Sequence, residues 1–221
     1  MFTQTFVDHE GWAIRDSDST TYVGAIEPAE EFGFRVYSEA WRRGWDWVKL
    51  KVVIGDGAVW IWNLANQHFP GAIQIVDLYH ARQHLWEIAA LLHPNDPAAK
   101  KSWMVPMKEL LDQGEIGSLT ARLREIAAEH AASNTGLTEE ILKEAEYLDT
   151  NASRMNYPRF RAMGLFAGSG VIEAGCKAVV GSRLKRSGMF WTVRGANAII
   201  ALRCCRLNGR FEDYWEEARV A

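Results

Sequence analysis

Two aspartates stand directly after short apolar runs. Asp56 follows Val52, Val53 and Ile54 with Gly55 and Gly57 on either side, and Asp77 follows AIQIV. A carboxylate at the carboxyl end of a buried strand is where open α/β sheets place their sites. Both positions also have a purely structural use, Asp56 as an Asx turn leaving its strand and Asp77 as the N-cap of the next helix. That helix carries His80 and His84 at i and i+4 on one face, a spacing that suits two ligands of one zinc ion, with a cysteine such as Cys176 as a third. A third carboxylate, Glu173, follows AGSG at the start of another helix, where the helix dipole favours it. Carboxylates next to bases are placed to hold Mg²⁺ against a phosphate. Two acids on strand ends and one on a helix are the parts of a two-metal phosphodiester site.

The bases are unevenly distributed. Lys177, Arg183, Lys185, Arg186, Arg194, Arg203, Arg206 and Arg210 fall in a stretch with no Asp or Glu, leaving 17 bases against 28 acids elsewhere, although the net charge is only −3. Such a segment is either the footprint of a polyanion, nucleic acid first among them, or a solvated helix face. Trp191, in SGMFWTVRG among the arginines, is the one tryptophan placed to stack on an unpaired base. The others read as core, since Trp41, Trp60, Trp62 and Trp86 sit in apolar runs.

The elements that must position these residues follow from periodicity and turn chemistry. FTQTFV and YVGAI read as antiparallel strands separated by RDSDST, and residues 29–45 as a helix stopped at Gly44. KLKVVIGDGA and AIQIV read as buried strands, WIWNLANQHF as a helix closed by Pro70, and DLYHARQHLWEIAALLH as a helix starting at Asp77. Strands first and strand–helix alternation after predict the α/β class, a mixed sheet covered by helices. Residues 81–163 carry almost no strand signal and read as a helical insertion, with Thr138 as a cap candidate. The basic C-terminal part is helical, interrupted at Gly181, Gly188, Gly195 and Gly209.

Composition narrows the class further. With 221 residues, 48% hydrophobic and 24% charged, the chain is neither disordered nor fibrous. A chain of this length buries roughly 70% of its unfolded surface, so a core needs no disulfide or metal staple. No apolar run is long enough to span a bilayer, and MFTQTFVDHEGW does not read as a secretory signal. Three cysteines without a CxxC pair fit a reducing compartment, so a cytoplasmic protein is expected.

Three strings carry a resemblance: VVIGDGAVWIWNLANQHFPGAIQIVDLYHARQHLW, LFAGSGVIEAGCKAVVGSRLKRSGMFWTVRGANAIIALR and GRFEDYW. Together they resemble the insertion-sequence transposases of the Kra group, relatives of the Mutator-like elements, over nearly the whole chain. The resemblance implies an RNase H-like mixed sheet with an all-helical insertion. It also implies a DDE site using Mg²⁺ or Mn²⁺ to cleave and join DNA. Asp56 in GDGA matches the second acid and Glu173 in GSGVIEAGCK the third, both as metal ligands. Asp77 and His80 match the family's D-x-x-H element, a positioning feature. Lys177, Arg183, Lys185, Arg186 and Arg194 become candidate DNA contacts.

The domains expected are residues 1–80 for the RNase H-like core, 81–163 for the insertion, and 164–221 for the glutamate helix and basic segment. The family's first catalytic aspartate lies on a strand that should precede FTQTFV, so the chain reads as N-terminally truncated. Asp8 is the substitute at hand in that region. Two functions follow, the catalytic region of a DDE transposase or a non-catalytic DNA-binding or regulatory remnant of one. Partners expected from the resemblance are transposon-end and target DNA and further copies of the chain, with no membrane.

Overall fold

The structure is a computed structural model and describes residues 1–168 and 174–220. It is α/β and mostly helical. The order is β1 (Phe2–Val7), β2 (Ala13–Thr21), α1 (Ala29–Arg42), β3 (Val52–Gly55), α2 (Val59–His68), β4 (Ile73–Val76) and α3 (Leu78–Leu92). Helices α4 (Pro97–Asp112), α5 (Ile116–His130), α6 (Thr135–Asn151) and α7 (Tyr157–Ala162) follow, and α8 (Val193–Leu207) and α9 (Phe211–Val220) lie near the end. The expected alternation up to α3 is the one observed. The strands do not form one mixed sheet among the described residues: β1 and β2 make an antiparallel pair, β3 and β4 a separate parallel pair.

The chain divides into two compact units. The first comprises Met1–Lys51, Asn63–Ala72 and Gly170–Ala221. Its hairpin differs from the sequence expectation. The turn is made by residues 8–12, where Asp8 Oδ1 accepts the Glu10 and Trp12 N–H groups at 2.9 and 2.8 Å and Gly11 takes φ +87°. RDSDST, read as a turn from its polarity, lies within β2, which pairs Gln4 with Asp16 and Phe6 with Ile14. YVGAI is not a strand. The backbone groups at its two ends are met by amides from α8 and its C-cap: Asn208 spans Tyr22 N–H and C=O at 2.7 and 2.9 Å, and Asn197 spans those of Ile26 at 2.7 and 3.1 Å. An amide side chain offers one acceptor and two donors, so it can replace a neighbouring strand one residue at a time.

Val179, Ile200 and Cys204 form the buried cluster beneath that segment, with Tyr22 and Leu184 against it. Buried Glu39 accepts from Arg210 at 3.1 Å and from Thr21 Oγ1 at 2.8 Å, so its charge is paired. Gly209, with positive φ, follows the C-cap of α8, whereas Gly188, also at positive φ, lies in the turn between Leu184 and α8. Gly195 and Gly181 do not interrupt anything: Gly195 sits inside α8, and Gly181 in a π-helical turn over Lys177–Gly181 that runs on into Ser182–Leu184.

The second unit comprises Val52–Trp62 and Ile73–Ser169. Its parallel pair is in register from Val52↔Ile73 to Gly55↔Val76, which brings the residues following each strand, Asp56 and Asp77, side by side in the backbone. Helices α3 to α7 supply most of its core, with Leu85, Ile88, Leu111, Leu119, Leu123, Ile141, Leu148 and Met155 fully buried. Each such leucine or isoleucine contributes roughly 1.5–3 kcal/mol by leaving water. Polar side chains cap α3, α4, α6 and α7. Asp96 accepts from Ala98 and Ala99, with Pro97 at the first helical position. Asn134, rather than Thr138, caps α6 through the Leu137 N–H at 3.1 Å. Thr138 lies inside the helix and donates to Ala127 and Asn134 carbonyls.

Candidate active site

The carboxyl ends of β3 and β4 gather the second unit's chemistry-bearing residues. Asp77 N–H donates to Gly55 O at 2.7 Å, tying the two strand ends together one residue past the ladder. Asp77 is buried and caps α3, its Oδ1 accepting from Tyr79 and His80 N–H at 2.7 and 3.2 Å. Capping is therefore a role it fills, and it fixes the first turn that carries His80.

Asp56 is exposed. Its Oδ1 accepts the Ala58 N–H at 3.0 Å, the Asx turn expected of this position, while Oδ2 takes no hydrogen bond from a described residue. The turn is braced from α6. Tyr147 Oη donates to the Asp56 carbonyl oxygen at 2.7 Å. Gly57 has φ +97°, and a Cβ there would lie 2.4 Å from the Tyr147 hydroxyl, so glycine is required twice over. The Gly57 carbonyl accepts from the Trp62 indole at 3.2 Å, and that indole also reaches Asn151 Oδ1 at 3.0 Å. Arg154 lies over the Trp62 ring, 4.8 Å from its centroid. Backbone and aromatic contacts thus hold the loop, and the Asp56 carboxylate commits one oxygen to it, through the Ala58 N–H.

His84 Nδ1 and Glu144 Oε2 are 2.7 Å apart, and the His84 ring stacks on Tyr147 at 4.2 Å between centroids. His80 Nε2 lies 3.2 Å from His84 Nε2. Burial, with the negative charges of Asp56, Glu144 and Asp77 nearby, pushes the Tyr147 phenol well above the usual tyrosine range. It stays a neutral donor to Asp56.

No family model matches the chain, and no solved structure matches it. Over 91 residues, 41% of the chain, it is 31% identical to a Streptococcus gallolyticus protein named "UPF0236 protein in vanSb 3′ region". The matched stretch covers 20% of that protein, so the chain spans about one fifth of the length of the curated relative it matches.

Of the residues singled out from sequence, Asp56, Asp77, His80 and His84 share this end of the second unit. Glu173 lies outside the described residues. Cys176 belongs to the first unit, and the group that contacts the histidine pair is Glu144. Lys177, Arg183, Lys185, Arg186 and Arg194 are all exposed in the first unit, and no salt bridge among the described residues holds any of them. Between the last two, Phe190 is 97% exposed, with Met189 and Trp191 exposed beside it. Glu144, Tyr147 and Asn151 escaped the sequence reading. Their spacing of three and four residues puts them on one face of α6, a signal visible only as polar groups interrupting an apolar stripe.

Proposed function

We propose that the chain is the catalytic region of a transposase that acts on DNA phosphodiesters. The observation that carries this is the setting of Asp56. It is an exposed carboxylate at the carboxyl end of a parallel strand pair, with its backbone clamped and one oxygen uncommitted among the described residues. Open α/β sheets bind their ligands at that end, and a carboxylate of this kind has the hard oxygen donors that Mg²⁺ takes together with phosphate oxygens. Glu173 is the second ligand in this reading. A bound Mg²⁺ would supply Lewis acidity at the scissile phosphate and lower the pKa of an attacking water.

The chain's own residues have separable roles. Asp56 holds the cation, Tyr147 fixes the Asp56 backbone, and Asp77 positions His80 through the first turn of α3. The five exposed bases bind DNA phosphates, which gives affinity without sequence preference. Arg194 supports that role independently, because a base in the first turn of α8 opposes the helix dipole and does nothing for the helix itself.

The test is nicking of supercoiled plasmid in Mg²⁺ and Mn²⁺, with Asp56→Ala and Glu173→Ala beside the unaltered chain at matched salt. Nicking that requires both carboxylates is expected. A folded chain that shifts DNA yet never nicks it would instead identify a non-catalytic DNA-binding remnant.

A further inference from the structure

His80 and His84 form a metal-binding geometry that uses neither Asp56 nor Glu173. Their Nε2 atoms are 3.2 Å apart and their rings are perpendicular, at 88°. Two nitrogen donors on a tetrahedral zinc, with Zn–N of about 2.0–2.1 Å, stand about 3.3 Å apart. The separation is that of two nitrogens sharing one ion, which would displace the proton of the present His80–His84 hydrogen bond. One imidazole is also already oriented. Glu144, a carboxylate, can only accept, so His84 Nδ1 is the donor in the 2.7 Å contact, which is the tautomer whose Nε2 can bind a metal. A carboxylate bonded to the distal nitrogen of a ligating histidine is the usual outer-shell arrangement of zinc sites. Stacking on Tyr147 fixes the plane of the ring.

Glu87 offers an alternative. His84, Glu87 and Glu144 each have a ligand atom within 4.8 Å of the others. The 2.7 Å separation of His84 Nδ1 and Glu144 is a hydrogen-bond length, too short for two donors on one zinc. Glu87 is exposed and already accepts from the Gln83 amide. The two Nε2 atoms fit the ion and this trio does not.

We infer that His80 Nε2 and His84 Nε2 chelate one zinc ion, with Glu144 orienting His84 and the remaining coordination positions left to water or a ligand. Imidazole donors select zinc over Mg²⁺, so the site is distinct in chemistry from the one proposed for Asp56.

The test is calorimetric titration of the whole chain with Zn²⁺ in excess Mg²⁺, together with the visible spectrum of the Co²⁺ form. One equivalent of Zn²⁺ and a Co²⁺ band of tetrahedral type are expected. His80→Ala, which disturbs neither Glu144 nor the Tyr147 stack, should abolish both, with far-UV circular dichroism unchanged. Glu144→Gln should weaken binding about 10- to 100-fold, and Glu87→Gln should leave it intact. Asp56→Ala should abolish nicking but keep the zinc, which separates failure of this inference from failure of the nuclease reading. Absence of binding by the folded chain, binding that survives His80→Ala, or binding abolished in Glu87→Gln would each overturn it.

Discussion

Tyr147 and Gly57 occupy each other's space: the phenol sits where a Cβ at Gly57 would be, 2.4 Å from that position, and donates its proton to the residue before. A loop locked this way is weakened by a change on either side, and more by one at the glycine. Gly57→Ala meets both the Tyr147 ring and a positive φ that costs a non-glycine residue about 1–3 kcal/mol. It should lower urea-unfolding stability by at least about 2 kcal/mol. Tyr147→Phe, which removes a single hydrogen bond, should cost about 1 kcal/mol. If Gly57→Ala is silent, the turn is not held as described.

Alkaline pH tests the burial of Tyr147 and Tyr157, both of whose phenols are held above the ordinary range, chiefly by burial. The folded pKa of each is raised, so their contribution is fully present below the unfolded value of about 10 and is lost as pH rises above it. Stability should fall with pH from about 10 upward. The last tyrosinate absorbance should appear only with the loss of far-UV ellipticity. Tyr147→Phe should shallow the fall, and a tyrosinate titration complete before unfolding would contradict the burial.

Arg82 and Asp112 make a part-buried, two-pronged ion pair between α3 and α4, with Arg82 Nη2 2.6 and 2.7 Å from the two carboxylate oxygens. Asp112→Ala leaves a guanidinium without its partner in a site where its side chain is 21% exposed. The expected cost is about 2 kcal/mol, in the range of hydrogen bonds to charged groups. Arg82→Ala with Asp112→Ala should cost less than the sum of the two, which a double-mutant cycle in urea would measure.

DNA affinity should depend on salt through the exposed bases. Every DNA phosphate that a base no longer neutralises reduces the slope of log K against log salt by about 0.9 on duplex DNA. Replacing Arg183, Lys185 and Arg186 together by alanine should flatten the slope by up to about 3 on any sequence. Fluorescence anisotropy on a random duplex would show it, and an unchanged slope would mean that other bases of the chain meet the phosphates.

What the sequence made legible was local. β3, β4 and α3 could be read because apolar runs, a closing Pro70 and a capping Asp77 all act within a few residues of one another. The hairpin was misplaced because Asp16, Ser17 and Asp18 do carry turn chemistry, Asp16 Oδ1 accepting the Asp18 and Ser19 N–H groups, but they spend it on a bulge that shifts the register within β2 rather than on the turn between the strands. YVGAI has strand composition, and only the distant amides of Asn197 and Asn208 replace the missing partner strand. The same distance hid half of the site. Asp56, Asp77, His80 and His84 stand out by spacing, while Glu144, Tyr147 and Asn151 acquire their roles only when α6 meets the turn after β3.

Tyr147 reaches Asp56 across 91 positions of sequence. On a ribosome, β3, β4 and α3 emerge first and can pair locally, but the brace for the Asp56 turn does not yet exist. Closing so long a loop is entropically slow until the intervening helices have condensed. A growing chain therefore displays its carboxylate in an unbraced loop for several seconds at ordinary elongation rates of about 5–20 residues per second. The braced form of the turn is withheld until α6 has been made.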